Sequence, residues 1–244
     1  MSVATKKIAL ITGANKGIGL ETARQLGKQG VVVLIGARDL AKGHAAVEDL
    51  KRDGVEARAV KLDVMNADEV KAVAAQIEKH FGMLDILVNN AGVTHEVMSG
   101  NTTLDVSEKE LRDTFDANFF AVVSVTNAML PLLRKSAAGR IVNVSSILGS
   151  LTLHAKDGEL GVKMFAYGAS KAALNSYTIH LADALKNTKI KVNSAHPGWV
   201  KTDMGTEAAP MDVVDGAKTE VALATLAEDG PTGGYFHLGE ALPW

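Results

Sequence analysis

A short apolar run, Ile8-Ala9-Leu10-Ile11, ends in Thr12-Gly13-Ala14-Asn15-Lys16-Gly17-Ile18-Gly19, and a helical pattern follows from Leu20 through Leu26. Strand, Gly-rich turn and helix in this order constrain the rest of the chain. The glycines permit a tight turn and let an anion approach the backbone, while the helix N-terminus faces that anion. The glycine spacing is G-x-x-x-G-x-G, not the G-x-G-x-x-G of the common dinucleotide fingerprint. A methyltransferase would also place a Gly-rich loop here, so the loop alone does not name its ligand.

The alternation continues. Val31 to Gly36 is an uninterrupted apolar run, as expected of a strand covered on both faces. Asp39 is placed to cap a helix from Leu40 to Arg52. Val55 to Leu62 reads as a third strand, Ala67 to Phe81 as a helix, and Leu84 to Val88 as a fourth strand running into Asn89-Asn90-Ala91-Gly92. Such alternation predicts a parallel sheet with helices on both faces, with ligand at the carboxyl ends of the strands. Gly13, Arg38, Asp63 and Asn90 all fall at such ends. At the tip of the second strand, Ala37 stands where an acid would hold a ribose 2′-hydroxyl, and Arg38 comes next. With Lys16 beside the glycines, two cations and no acid favour NADP(H) over NAD.

Composition narrows the classes. The chain has 244 residues, 47% of them hydrophobic, and a net charge of −2, which gives no basic surface for nucleic acid. It has no cysteine, which excludes disulfides and thiolate chemistry and suits a cytoplasmic protein. The N-terminal apolar run is too short for a signal peptide or a membrane span. The histidines form no H-x-x-x-H pair, so no metal site is expected. With no linker or repeat, residues 1–244 read as one domain.

The second half carries the chemistry. Tyr167 and Lys171 stand four residues apart in a helical stretch, which puts both side chains on one face. A phenol has an unperturbed pKa of about 10, and a nearby ammonium lowers it. Such a pair can give a proton to a carbonyl oxygen or take one from an alcohol. Gly139 to Ser146 reads as a fifth strand whose tip presents Ser145 and Ser146, neutral hydroxyls suited to a developing oxyanion. Ser107 with Glu110 reads as a capping box opening a long helix to about Arg134, with Pro131 as the expected kink. Ile190 to Ala195 is a sixth strand before His196-Pro197-Gly198-Trp199-Val200-Lys201-Thr202-Asp203-Met204. Residues 202–213 read as a lid, Val213 to Glu228 as a helix, and Thr232 to Leu238 as a last strand.

Thr12-Gly13-x-x-x-Gly17-x-Gly19, Asn89-Asn90-Ala91-Gly92 and Tyr167-x-x-x-Lys171 together resemble the short-chain dehydrogenase/reductase family over nearly the whole chain. The run from Pro197 to Met204 resembles its carbonyl reductase branch. The resemblance implies a doubly wound Rossmann fold with a seven-stranded, mostly parallel sheet. It implies NADP(H) held by Gly13, Asn15, Lys16, Gly17, Ile18, Gly19 and Arg38, with Asp63 and Val64 at the adenine. Asn90, Ala91 and Gly92 would support the cofactor's middle, and Pro197, Gly198, Val200 and Thr202 its nicotinamide end. Asn89 either joins them or only braces the sheet. The implied catalytic set is Asn118, Ser146, Tyr167 and Lys171, with Lys171 also bonding the nicotinamide ribose. Its implied substrate is a small carbonyl compound, with an alcohol or steroid dehydrogenase and a cofactor-sensing regulator as rivals.

Twenty-one positions separate Ser146 from Tyr167, more than is usual in the family. The extra segment, about 148–164, reads as a polar loop beside the site. A longer insertion here resembles the monomeric carbonyl reductases, and whether this chain is a monomer or a homo-oligomer stays open. The loop after the fourth strand brings His95 to the expected site mouth.

Overall fold

The computed structural model describes residues 6–96, 103–156, 160 and 164–244. One sheet organises them, with strands in the order β3-β2-β1-β4-β5-β6-β7-β8. The chain runs β1 (Ile8–Thr12), α1 (Gly17–Lys28), β2 (Val32–Ala37), α2 (Leu40–Arg52), β3 (Ala57–Lys61), α3 (Ala67–Phe81) and β4 (Ile86–Asn89). It continues through α4 (Glu108–Phe115), α5 (Ala121–Leu133), β5 (Arg140–Val144), α6 (Leu151–Ala155), α7 (Phe165–Ala184), β6 (Lys191–Ala195), α8 (Val213–Ala224), β7 (Tyr235–His237) and β8 (Glu240–Ala241). All pairings from β3 across to β7 are parallel, and β7 pairs with β8 antiparallel. The sheet therefore has eight strands, not seven. The eighth is two residues long, too short to show a periodic pattern, and depends on a turn at Leu238-Gly239 whose backbone has positive φ at both residues.

Strand residues alternate between two apolar layers, because successive side chains point to opposite faces. Ile8, Leu10, Leu34, Leu87, Ile141 and Val192 pack with α3, α5 and α7. Ala9, Ile11, Val33, Ile35, Val88 and Val142 pack with α1, α2 and α8. Burying a Leu or Ile side chain contributes about 1.5–3 kcal/mol, and both faces of the central strands take part.

Helix ends agree with the sequence where a capping residue marks them. Asp39 accepts from the Ala41 and Lys42 amides, and Ser107 and Glu110 form the reciprocal box. Two features differ from the sequence pattern. The long helix carries a π-helical turn at Asp116–Phe120, between α4 and α5, and Pro131 lies inside α5. The stretch Glu108–Leu133 is apolar enough to cross a membrane by length and composition, yet half of its most apolar window is buried, with α4 against α7 and α5 against α3. The described part of the insertion is also not a polar loop. It forms a 3-10 turn at Ile147–Gly149 and then α6, whose Thr152 amide donates to the carbonyl of the terminal Trp244. Residues 157–159 and 161–163 of that segment lie outside the described residues.

Candidate active site

The site lies at the carboxyl ends of β1, β4, β5 and β6. The Gly-rich turn leads directly from β1 into α1, whose N-cap residue, Lys16, makes no capping bond. The helix-end amides are thus left for a ligand, the arrangement that suits a pyrophosphate. Gly13 has φ +65°, and a Cβ there would stand 3.1 Å from Ala91 Cα. A Cβ on Gly19 would lie 2.4 Å from Asn90 Nδ2. The close approach of the β4 tip, not only the ligand, therefore requires these two glycines. Asn90 holds the turn in place: its Nδ2 donates to Thr12 O at 2.8 Å, and the Asn90 and Ala91 amides both donate to Thr12 Oγ1 at 3.0 Å.

Asn89 points elsewhere. Its Nδ2 donates to Thr126 Oγ1 at 3.0 Å and Asn143 Oδ1 at 2.9 Å, and Asn143 in turn donates to Thr178 on α7. It braces the sheet against its helices.

Ala37 is fully buried at the end of β2, while Arg38 is exposed beyond it. Lys16 forms an exposed ion pair with Asp203, which reaches across from the 202–213 segment. A groove between α1 and α2 is lined by Asn15, Lys16, Leu20, Lys42, Ala45 and Asp49, among others. Lys42, which the sequence reading missed, adds a third cation to this side. Its one signal is its place in the first turn of α2, where Asp39 caps the backbone. Asp63 follows β3, and its side chain accepts from the Met65 amide at 3.1 Å.

Helix α7 brings Tyr167 and Lys171 to the tip of β5. The Ser146 hydroxyl stands beside the Tyr167 phenol, while Ser145 is buried beside the phenol of Tyr235. The two serines thus face different ways, with Ser146 toward Tyr167. Lys171 is buried, lies 5.6 Å from the Tyr167 ring centre, and donates from Nζ to Val144 O at 2.8 Å. Burial pushes the Tyr167 phenol up to about 12, opposed by Ser146, and burial pulls the Lys171 ammonium down to about 8, opposed by Glu220. The expected lowering of the phenol by Lys171 is not found in this geometry: desolvation disfavours the charged form of each group and sets both directions.

Asn118 sits in the π-helical turn. Its Oδ1 accepts from the Val93 amide at 2.8 Å, and its Nδ2 donates to Val93 O at 2.9 Å and Ser170 Oγ at 3.1 Å. Gly92 separates it from Lys171: a Cβ there would meet Asn118 Oδ1 at 3.2 Å and Lys171 Nζ at 3.5 Å. Asn118, Ser146, Tyr167 and Lys171 are therefore gathered at one place from three segments: the π-helical turn, the tip of β5 and α7.

His196 is a second residue the sequence reading passed over, although it directly precedes Pro197-Gly198. It is buried, and its Nδ1 accepts from the Ile147 amide at 3.2 Å and the Gly198 amide at 3.4 Å. Burial, aided by the His237 ring 4.8 Å away, pushes it down to about 3. A neutral ring thus ties the turn after Ser146 to the Pro-Gly turn. The 202–213 segment is tied to the residues before it: Trp199 Nε1 donates to Gly205 O at 2.7 Å, and Val200 bridges Met211. His95 is exposed on the loop after β4.

A doubly wound sheet with a glycine cradle at β1 and a Ser-Tyr-Lys cluster at β5 defines a dinucleotide-binding oxidoreductase. The chain belongs to the short-chain dehydrogenase/reductase family, whose members use a nicotinamide cofactor: the short chain dehydrogenase family model matches residues 7–212. Carbonyl reductase (NADPH) 3 of Rattus norvegicus is 36% identical, covering 91% of this chain and 92% of its own length. Short-chain dehydrogenase/reductase 1 of Saponaria officinalis is 34% identical, covering 99% and 97%. Among solved structures, the NADPH-bound carbonyl reductase from chicken fatty liver superposes with a TM-score of 0.85 at 26% identity, covering 98% of this chain and 99% of its own.

Proposed function

We propose that the chain is a one-domain, NADPH-dependent carbonyl reductase that reduces small ketones, aldehydes or quinones to alcohols. The observation that carries this reading is the grouping at the tip of β5, where the Tyr167 phenol stands beside Ser146 with the buried Lys171 Nζ 5.6 Å from its ring centre. A phenol so placed keeps its proton at neutral pH and is a donor to a carbonyl oxygen, not a resting base. The similarity to NADPH carbonyl reductases and the cations Lys16, Arg38 and Lys42 support NADP(H).

The residues fit the cofactor. The Gly13–Gly19 turn and the uncapped start of α1 would hold its pyrophosphate, Arg38 and Lys16 its 2′-phosphate, Asp63 and Val64 its adenine. Asn90, Ala91 and Gly92 would support its middle, and Pro197, Gly198, Val200 and Thr202 its nicotinamide end. When bound, NADPH supplies the hydride. Ser146 orients the substrate carbonyl through its hydroxyl, and Tyr167 donates a proton to the oxygen. Lys171 would hold the nicotinamide ribose and would stabilise the phenolate that this leaves. Asn118 completes a relay that returns a proton from solvent. The chain acts in the cytoplasm on a small molecule, without a nucleic-acid or membrane partner.

The test is NADPH consumption by purified protein against aryl ketones, diones and quinones, with NADH in parallel. Turnover with NADPH and little with NADH is expected. Tight NADPH binding with no turnover on any carbonyl would overturn the reading in favour of a sensor. Turnover mainly with NADH would overturn the cofactor assignment alone.

A further inference from the structure

Helix α7 begins without a cap of its own. Met164 occupies the N-cap position and offers no side-chain acceptor. Backbone amides in the first turn of a helix have no intrahelical partner and need one from elsewhere. For Tyr167 the partner is remote: Glu96 Oε2 accepts from the Tyr167 amide at 2.8 Å, across 71 positions of sequence. The Tyr167 carbonyl is held as well, accepting from Ser170 Oγ at 2.7 Å. Both peptide groups from which the phenol projects are therefore fixed.

Glu96 is itself well placed. It is buried, with 8% of its surface exposed, on the loop that follows β4. Three residues earlier, Val93 is gripped through both its amide and its carbonyl by the Asn118 side chain. The loop is thus anchored to Asn118 at Val93 and to Tyr167 at Glu96. Between them lies His95, exposed at the mouth. A carboxylate at a helix N-terminus also meets the positive end of the helix dipole, and a charged acceptor makes the stronger hydrogen bond.

We infer that Glu96 is a positioning residue, which holds Tyr167 in register with Ser146 and couples the mouth loop to the proton donor. The inference rests on the reading of Tyr167 as that donor. A small displacement of a reacting group lowers turnover steeply without weakening binding in proportion.

The experiment compares Glu96→Ala with Glu96→Gln, which keeps an acceptor oxygen. It measures kcat, KM, NADPH affinity and amide exchange in residues 164–168. Glu96→Ala is expected to lower kcat about tenfold, with KM and NADPH affinity within about twofold of the parent, and to speed exchange at Tyr167. Glu96→Gln is expected to bring kcat back to within about threefold. With kcat normalised to the concentration of folded, NADPH-binding protein, a role in stability alone would leave it at the parent's value. Parental kcat in Glu96→Ala, unchanged exchange at Tyr167, or equal losses in both variants would each overturn the inference. If the parent turns over no carbonyl while Glu96→Ala still exchanges faster, the anchoring stands and the proton-donor reading falls.

Discussion

The carboxyl of Glu220 on α8 accepts a hydrogen bond from the Thr22 hydroxyl of α1 at 2.7 Å, where both helices also carry apolar residues of the core, Ala23, Leu26, Val221 and Ala224. Glu220 is fully buried, and its other oxygen has no hydrogen-bond partner. Burial pushes it up to about 8, against the opposing effects of Thr22 and Lys171. An acid whose folded pKa exceeds its unfolded value contributes stability that is complete below the unfolded pKa, near 4.5, and is lost as pH rises through the folded pKa. Within that window the loss is roughly 1.4 kcal/mol per pH unit. Glu220→Gln keeps the acceptor for Thr22 and removes the charge. Its melting temperature is expected to exceed the parent's by a margin that grows between pH 6 and pH 9. A margin independent of pH would refute the raised pKa.

Tyr167→Phe keeps the ring and removes the proton. Because general acid catalysis contributes about 10²–10⁴-fold, carbonyl reduction should fall by at least a hundredfold. NADPH affinity should change less than about threefold, since the ring and Lys171 remain in place. Steady-state rates and fluorescence titration read the two quantities separately. Activity within tenfold of the parent would show that another group supplies the proton.

Arg38→Ala should weaken NADPH far more than NADH, because only NADPH carries the 2′-phosphate that a guanidinium binds. Lys42→Ala should act in the same direction with a smaller effect, as an exposed point charge. Titration of each variant with both cofactors measures the ratio. Equal losses for both cofactors would show that neither cation reads the phosphate.

The burial that pulls Lys171 down to about 8 also sets a pH dependence for turnover. On the proposed mechanism, reduction leaves a phenolate on Tyr167, which an ammonium stabilises and a neutral amine does not. At saturating NADPH, kcat should be level below pH 8 and decline above it, by about tenfold per unit at the steep limit. A profile level to pH 10 would remove the Lys171 charge from the mechanism.

Much of the molecule was legible because local rules and global fold agree. The apolar runs of β1, β2 and β4 and the caps at Asp39 and Ser107 lie where sequence pattern places them. Tyr167 and Lys171 share a helix face, so their spacing alone brought them together. What the pattern did not show has one cause. Asn118 was named only through the family resemblance, because it lies in a helical run of ordinary composition and nothing local marks the π-helical turn that aims it at Val93 and Ser170. His196 and Glu96 act through single bonds to backbone amides 49 and 71 positions away, and such bonds leave no periodic trace.

By itself the sequence determined the helix layers on both faces of the sheet, the glycine cradle and the pairing of Tyr167 with Lys171 on one helix face. Each of these rests on contacts between near neighbours: strand alternation, turn geometry, and one turn of helix. Tertiary structure alone decided which of Ser145 and Ser146 reaches Tyr167, that Asn89 braces the sheet while Asn90 pins the cradle, and how far burial shifts Tyr167 and Lys171. Burial and long-range hydrogen bonds arise only when distant segments are packed together. A side chain's environment, unlike its periodicity, is a property of the folded molecule.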